Sequence, residues 1–135
     1  MKQEEADYVR LRVERARDSL REAQLLLNNG YLRGTVNRTY YACFYAANAI
    51  LFSEGLSSSK HSGVMSLFER HWIKTGRLPV EMGKYYRELF ERRQEGDYED
   101  TAKFERDKVE KCLAEAHPFV ERIADWLRAN AGVEA

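Results

Sequence analysis

Apolar residues recur along the first part of the chain with the spacing of one helical face. Steps of three or four residues separate them, and arginine and glutamate fill most positions between. The stripe consists of Val9, Val13, Ala16, Leu20, Ala23 and Leu27. This spacing predicts an amphipathic helix over residues 4–27. Asn28-Asn29-Gly30 should end it, because asparagine and glycine tolerate the left-handed backbone of a helix C-cap.

A second helix is predicted over residues 32–54, and its middle is apolar on nearly every side. Residues 40–52 are aromatic, aliphatic or small, with Asn48 as the single amide. A helix of this kind is expected at the centre of a bundle. With 13 residues the segment is too short to cross a hydrocarbon layer of ~30 Å, so we expect no membrane-spanning helix.

Glycine and proline separate three further predicted helices. The third covers residues 60–74, and the fourth runs from Pro79 to about residue 95, where Gly96 should break it. The last covers residues 101–130, and Pro118 should kink or locally break it around 114–117 because proline has no N–H for the helical ladder. No strand alternation or linker is present. We therefore expect one all-α domain over residues 1–135, a single up-and-down bundle of four to five helices.

Composition and charge exclude several classes of protein. The 22 basic residues balance 22 acidic ones, so no overall field draws the chain to nucleic acid or to an anionic membrane, and any such contact must be local. No apolar run follows the first five residues, which predicts a cytoplasmic protein without a secretory signal. Cys43 and Cys112 are isolated and should be buried, reduced thiols. The three histidines lie on separate segments without ligand partners, so we expect no metal and no other cofactor.

Three motifs, in this order, resemble the HEPN family, the helical nucleotide-binding domain of higher eukaryotes and prokaryotes. They are Tyr-Tyr-Ala-x-Phe-Tyr-Ala-Ala at 40–47, Lys60-His61-Ser62-Gly63, and Arg93-x-x-x-Asp97-Tyr98. The likeness extends from the first helix to about residue 125. It implies a helical bundle that forms a homodimer. It also implies a small nucleotidyltransferase as partner, in a module of the toxin–antitoxin kind.

Other branches of that family are metal-independent ribonucleases, and their motif is an arginine followed by a histidine after four to six residues. The corresponding windows before the three histidines here, 54–56, 64–66 and 110–112, contain no arginine. Some toxins of the family also have a tyrosine two residues after that histidine, which the partner modifies with AMP. Counted from Arg92, Asp97 takes the histidine position and Tyr98 follows one residue too early. An aspartate is ionised at neutral pH and donates no proton, so we expect no catalytic residue.

The candidate residues for ligand binding lie at the three motifs. Backbone N–H groups at the start of the third helix favour a phosphate, and the planar arginine fork matches phosphate oxygens. The candidates are Arg38, Tyr41, Lys60, His61, Arg93, Asp97 and Tyr98. Purely structural roles stay open for these residues. Arg93 and Asp97 can form a local ion pair with Tyr98 packed beside them, and His61 can cap or pack. Tyrosines 40, 41 and 45 can belong to the core instead of forming a stacking platform for bases, and the core is favoured.

Two functional hypotheses remain from the sequence. The first is a non-catalytic nucleotide-binding or interaction subunit that pairs with a nucleotidyltransferase. The missing arginine–histidine spacing favours it over the second, a divergent metal-independent ribonuclease toxin, for which RNA binding stays open. A dimeric bundle with an unrelated ligand is a third possibility.

Overall fold

The chain folds into an all-α bundle, as expected. The computed structural model describes residues 1–98 and 104–135, and it describes side chains outside 95–103. Within these residues there is no β-strand. A single π-helical turn, Glu69–Ile73, directly continues the third helix. The helices are α1 (Gln3–Asn28), α2 (Leu32–Ser53), α3 (His61–Phe68), α4 (Val80–Tyr98) and α5 (Arg106–Asn130).

The central element is α2, which packs against each of the other four helices. Small buried residues, Ala42, Ala46 and Ala49, let the neighbouring backbones approach closely, and Ile50 is fully buried among them. One side of α2 departs from the expectation of burial all round. Its aromatic side chains at 41, 44 and 45 are only half-buried. That side faces the start of α3 and the end of α4, and it carries the candidate site.

Two expected helix interruptions do not occur. Gly96 was expected to end the fourth helix, but α4 continues through it to Tyr98. Pro118 was expected to kink or break the last helix, and the break is absent because α5 runs continuously from Arg106 to Asn130. Proline removes one hydrogen bond, to the carbonyl of Ala114, and both residues are exposed, so water can replace it. The last helix also begins five residues later than predicted.

Ion pairs tie the helices together at the surface. Arg17 of α1 donates two hydrogen bonds, of 2.9 and 2.8 Å, to the carboxylate of Glu121 on α5. Arg87 of α4 binds Glu69 in the same bidentate way. The expectation for the two cysteines is confirmed, since Cys43 and Cys112 are both buried and free. No helix in the described ranges has the length and apolar character needed to span a bilayer.

Candidate functional site

His61 is the centre of the candidate site, and three aromatic rings hold its imidazole. The ring stacks on Phe44, with 4.2 Å between centroids and 20° between planes. It lies parallel to Tyr40 at 5.7 Å and meets the edge of Tyr41 at the same distance. The Tyr40 hydroxyl is 2.9 Å from His61 Nδ1. These ring contacts and the hydrogen bond fix the orientation of the imidazole.

The turn before α3 explains how His61 reaches α2. The backbone N–H of Lys60 donates a hydrogen bond of 3.2 Å to Ser58 Oγ, which closes the turn. Ser58 packs against the backbone of Gly63, where an added Cβ would lie 2.1 Å from Ser58 Oγ. Only glycine fits at that position without a shift of the turn. The Lys-His-Ser-Gly motif is thus a tight entry to α3 that presents His61.

The protonation states of His61 and Tyr40 follow from their surroundings. Burial, and then the positive charge of Arg93, lower the pKa of His61, so the imidazole is neutral at pH 7. Burial raises the pKa of Tyr40, so its phenol stays protonated. The buried phenol proton needs an acceptor, and Nδ1 is beside it. We therefore assign the donor to Tyr40, which leaves the imidazole proton on Nε2.

Two arginines approach Tyr41 beside this histidine. The Arg38 guanidinium carbon is 4.8 Å from the centre of the Tyr41 ring, and that of Arg93 is 5.5 Å away. Arg93 also donates a hydrogen bond of 3.3 Å to the Tyr41 hydroxyl and lies 5.0 Å from the Tyr40 ring centre. Glu22 approaches Arg38 only to 4.0 Å. We call Arg38, Tyr40, Tyr41, His61 and Arg93 the arginine–histidine cluster.

A second set of arginines and tyrosines continues this surface along α1 and α2. Arg12 lies between the rings of Tyr8 and Tyr45, at 5.0 and 5.6 Å, and Arg15 lies 5.8 Å from the Tyr45 ring. A cavity of about 370 Å³, lined in part by Arg15, Arg38 and Tyr45, connects it to the cluster. We call Tyr8, Arg12, Arg15 and Tyr45 the arginine–tyrosine face.

The structure brings together four of the seven residues singled out in the sequence: Arg38, Tyr41, His61 and Arg93. Lys60 lies at the edge and is exposed, and its ammonium makes no ion pair within the described residues. Asp97 and Tyr98 belong to the last turn of α4, but their side chains lie outside the described residues.

Sequence reasoning missed two members of the site, Tyr40 and Phe44. Phe44 was assigned to the apolar middle of α2, and for Tyr40 the core was favoured over a stacking platform; Tyr40 is fully buried. The available signal was their spacing of four residues, which places them on one side of α2. In the described part of the chain, no three histidine, cysteine or acidic side chains come together as metal ligands would.

The model of the HEPN domain family matches residues 9–126, which include the whole cluster. The chain belongs to the HEPN family. It is similar to a UPF0332 protein of Thermotoga maritima, at 46% identity over 109 residues, 81% of this chain and 83% of the relative. It is also similar to a Methanocaldococcus jannaschii protein named "Putative toxin MJ0142", at 33% identity over 115 residues, 85% of this chain and 78% of the relative. The resemblance seen in the three motifs is thus confirmed, and this HEPN domain has relatives that are named as toxins.

Proposed function

We propose that this HEPN domain is a non-catalytic nucleotide-binding subunit that works with a small nucleotidyltransferase in a module of the toxin–antitoxin kind. One observation carries the proposal: Arg38 and Arg93 converge on the Tyr41 ring next to a neutral, oriented His61. The ligand is a nucleotide or the phosphate backbone of a short RNA.

The cluster supplies the groups that such a ligand needs. A guanidinium fork can donate two parallel hydrogen bonds to one phosphate, and Arg38 and Arg93 place two guanidinium groups beside the same tyrosine ring. His61 adds an Nε2–H donor, since Tyr40 occupies its Nδ1. Arginines lie over the half-buried rings of Tyr41 and Tyr45. A base that displaces a guanidinium from either ring gains stacking worth about 1–3 kcal/mol.

The non-catalytic role and the partner rest on sequence and family. The chain lacks an arginine followed by a histidine at the spacing used by the ribonuclease branches. Two relatives are named "Putative toxin", and such names are consistent with a toxin–antitoxin module of two components. The genes on either side of this one test the partner: a neighbouring nucleotidyltransferase whose product co-purifies with this chain supports the pairing, and two unrelated neighbours speak against it.

A second candidate function, metal-independent RNA cleavage, is favoured by a specific observation. His61 and Arg93 both contact the Tyr40 ring, although 32 residues separate them in the chain. The fold thus brings an arginine and a neutral histidine together without the linear motif. A neutral imidazole accepts a proton from an RNA 2′-hydroxyl through the nitrogen that carries none. RNA cleavage therefore requires the other tautomer of His61, in which Nδ1–H donates to the Tyr40 oxygen and Nε2 is the acceptor.

Incubation of labelled single-stranded RNA with the purified chain and a chelator separates the two candidates. The variants are Arg93→Ala and His61→Ala, and the matched controls are Arg70→Ala and His117→Ala, which change exposed residues outside the cluster. We expect intact RNA with every variant. Cleavage that His61→Ala abolishes and His117→Ala preserves would overturn the non-catalytic role and establish the ribonuclease.

A further inference from the structure

A groove of about 570 Å³ lies between the start of α4 and the middle of α5, and it shares no residue with the arginine–histidine cluster. Its floor is apolar, because Met82 and Phe119 are buried there and Tyr85 and Pro118 form its sides. Val80, next to the groove in the chain, is 67% exposed. This apolar part of the surface is therefore not covered by another helix of the described chain.

The rim of the groove is acidic. Among the described residues that line it, four carry carboxylates and one, Arg122, carries a guanidinium. Two of the carboxylates are already paired on α5: Glu121 with Arg17, whose hydrogen bond lowers the pKa of Glu121, and Asp125 with Arg128.

The other two carboxylates, Glu115 and Glu81, are held less closely. Glu115 approaches Lys111 only to 3.9 Å. Glu81 has no ion-pair partner within the described residues. The two stand on opposite sides, since Glu81 belongs to α4 and Glu115 to α5. An apolar strip with carboxylates on both sides, and Arg122 as the one cation among its described lining residues, complements a ligand with an apolar stripe and basic flanks.

Pro118 adds a hydrogen-bond acceptor to this helix face. Because proline has no N–H, the carbonyl of Ala114 lacks its usual donor four residues later. Both residues are exposed on α5. The carbonyl lies one residue before Glu115, which lines the groove, and it lacks a donor from residue 118.

We infer that this groove docks a cationic amphipathic helix of a partner protein. The lining residues of α5 run from Glu115 to Asp125, a rise of about 15 Å, which is roughly three helical turns. A partner helix of similar length can place apolar side chains at i, i+3 or i+4, and i+7 on the floor. Its lysines or arginines then meet Glu81 and Glu115. The inference does not depend on the proposed function, because the two surfaces use different residues.

The probe is a fluorescein-labelled amphipathic peptide of about 12 residues, held helical by a side-chain staple, with leucine at i, i+3, i+4 and i+7, lysine at the flanking positions and alanine elsewhere. A second peptide has glutamate in place of every lysine. Fluorescence anisotropy with the full chain should give saturable binding of the basic peptide that weakens as salt is raised, and no binding of the acidic one.

Two double variants with the same change of charge locate the binding. Glu81→Lys/Glu115→Lys should weaken binding of the basic peptide about tenfold or more, because two attractive contacts become repulsive. Glu4→Lys/Glu134→Lys, at exposed residues away from the groove, should leave binding nearly unchanged. All four glutamates are exposed, and circular dichroism checks that each variant is folded.

Three results with the basic peptide would overturn the inference. The first is that it does not bind. The second is an equal loss of affinity in both double variants, which would mean a general attraction to acidic surface. The third is that the amide shifts induced by the peptide lie outside α4 and α5. Binding of the acidic peptide, of RNA or of anionic vesicles at Glu81 and Glu115 would also contradict it.

Discussion

The hydrogen bond between Tyr40 and His61 can be removed by deleting a single oxygen atom. Tyr40→Phe keeps the fully buried ring and its stacking on His61 and loses only the 2.9 Å bond to Nδ1. One neutral hydrogen bond contributes about 0.5–1.5 kcal/mol, and a buried acceptor left without a donor costs about 1–3 kcal/mol. Since His61 is only half-buried, water can reach part of the ring. We therefore expect a loss of about 1–2 kcal/mol in the free energy of unfolding.

Urea denaturation measures this loss, with Tyr31→Phe as the matched control because Tyr31 is 64% exposed. A double-mutant cycle with His61→Ala should give a coupling energy of about 1 kcal/mol, since residues in direct contact are not additive. Equal unfolding midpoints for Tyr40→Phe and Tyr31→Phe, or a coupling energy near zero, would refute the assigned hydrogen bond and the orientation of His61 built on it.

The remaining predictions concern charge, core and assembly. The pKa of His61 is lowered in the folded state, so the unfolded chain binds more protons near pH 6. The free energy of unfolding should therefore rise from about pH 5 to pH 7, and it should rise less steeply in His61→Asn. In an NMR titration Arg93→Ala should move the pKa of His61 up towards its ordinary value; an unchanged pKa would rule out the charge effect. Ile50→Ala, at a fully buried residue, should cost about 2–5 kcal/mol in urea and Arg70→Ala almost nothing; equal midpoints would mean a different core. We predict a homodimer in light scattering, and a monomer mass across micromolar concentrations would contradict it.

Most of the fold could be predicted from the sequence because helical periodicity is a local property. The stripe on α1 and the apolar middle of α2 gave helix ends within one residue of those observed, 4–27 against Gln3–Asn28 and 32–54 against Leu32–Ser53. Gly96 gave a wrong signal because a glycine costs a helix only about 1 kcal/mol relative to alanine, which weakens the helix without ending it. Pro118 gave a wrong signal for a break because its penalty of about 3 kcal/mol is offset by the packing of its buried neighbours Ala116, Phe119 and Val120.

The site was only partly predictable, because its contacts join segments that are distant in the chain. Motif and charge singled out Arg38, Tyr41, His61 and Arg93. The bond from Tyr40 to His61 depends on how the turn at Ser58 returns the chain to α2, and helical periodicity cannot show this. The same limit applies to the search for a linear arginine–histidine motif. It cannot detect that Arg93 and His61 reach one tyrosine ring from different helices.

Calorimetric titration with ATP tests most directly whether the arginine–histidine cluster holds a phosphate. Charge-assisted hydrogen bonds contribute about 1.5–3 kcal/mol, so Arg93→Ala should weaken ATP binding about tenfold or more, and Arg38→Ala should act in the same direction. Arg70→Ala should bind like the natural chain, and adenosine, which has no phosphate, should bind far more weakly than ATP. No binding of ATP, or equal affinities for Arg93→Ala and Arg70→Ala, would contradict the account.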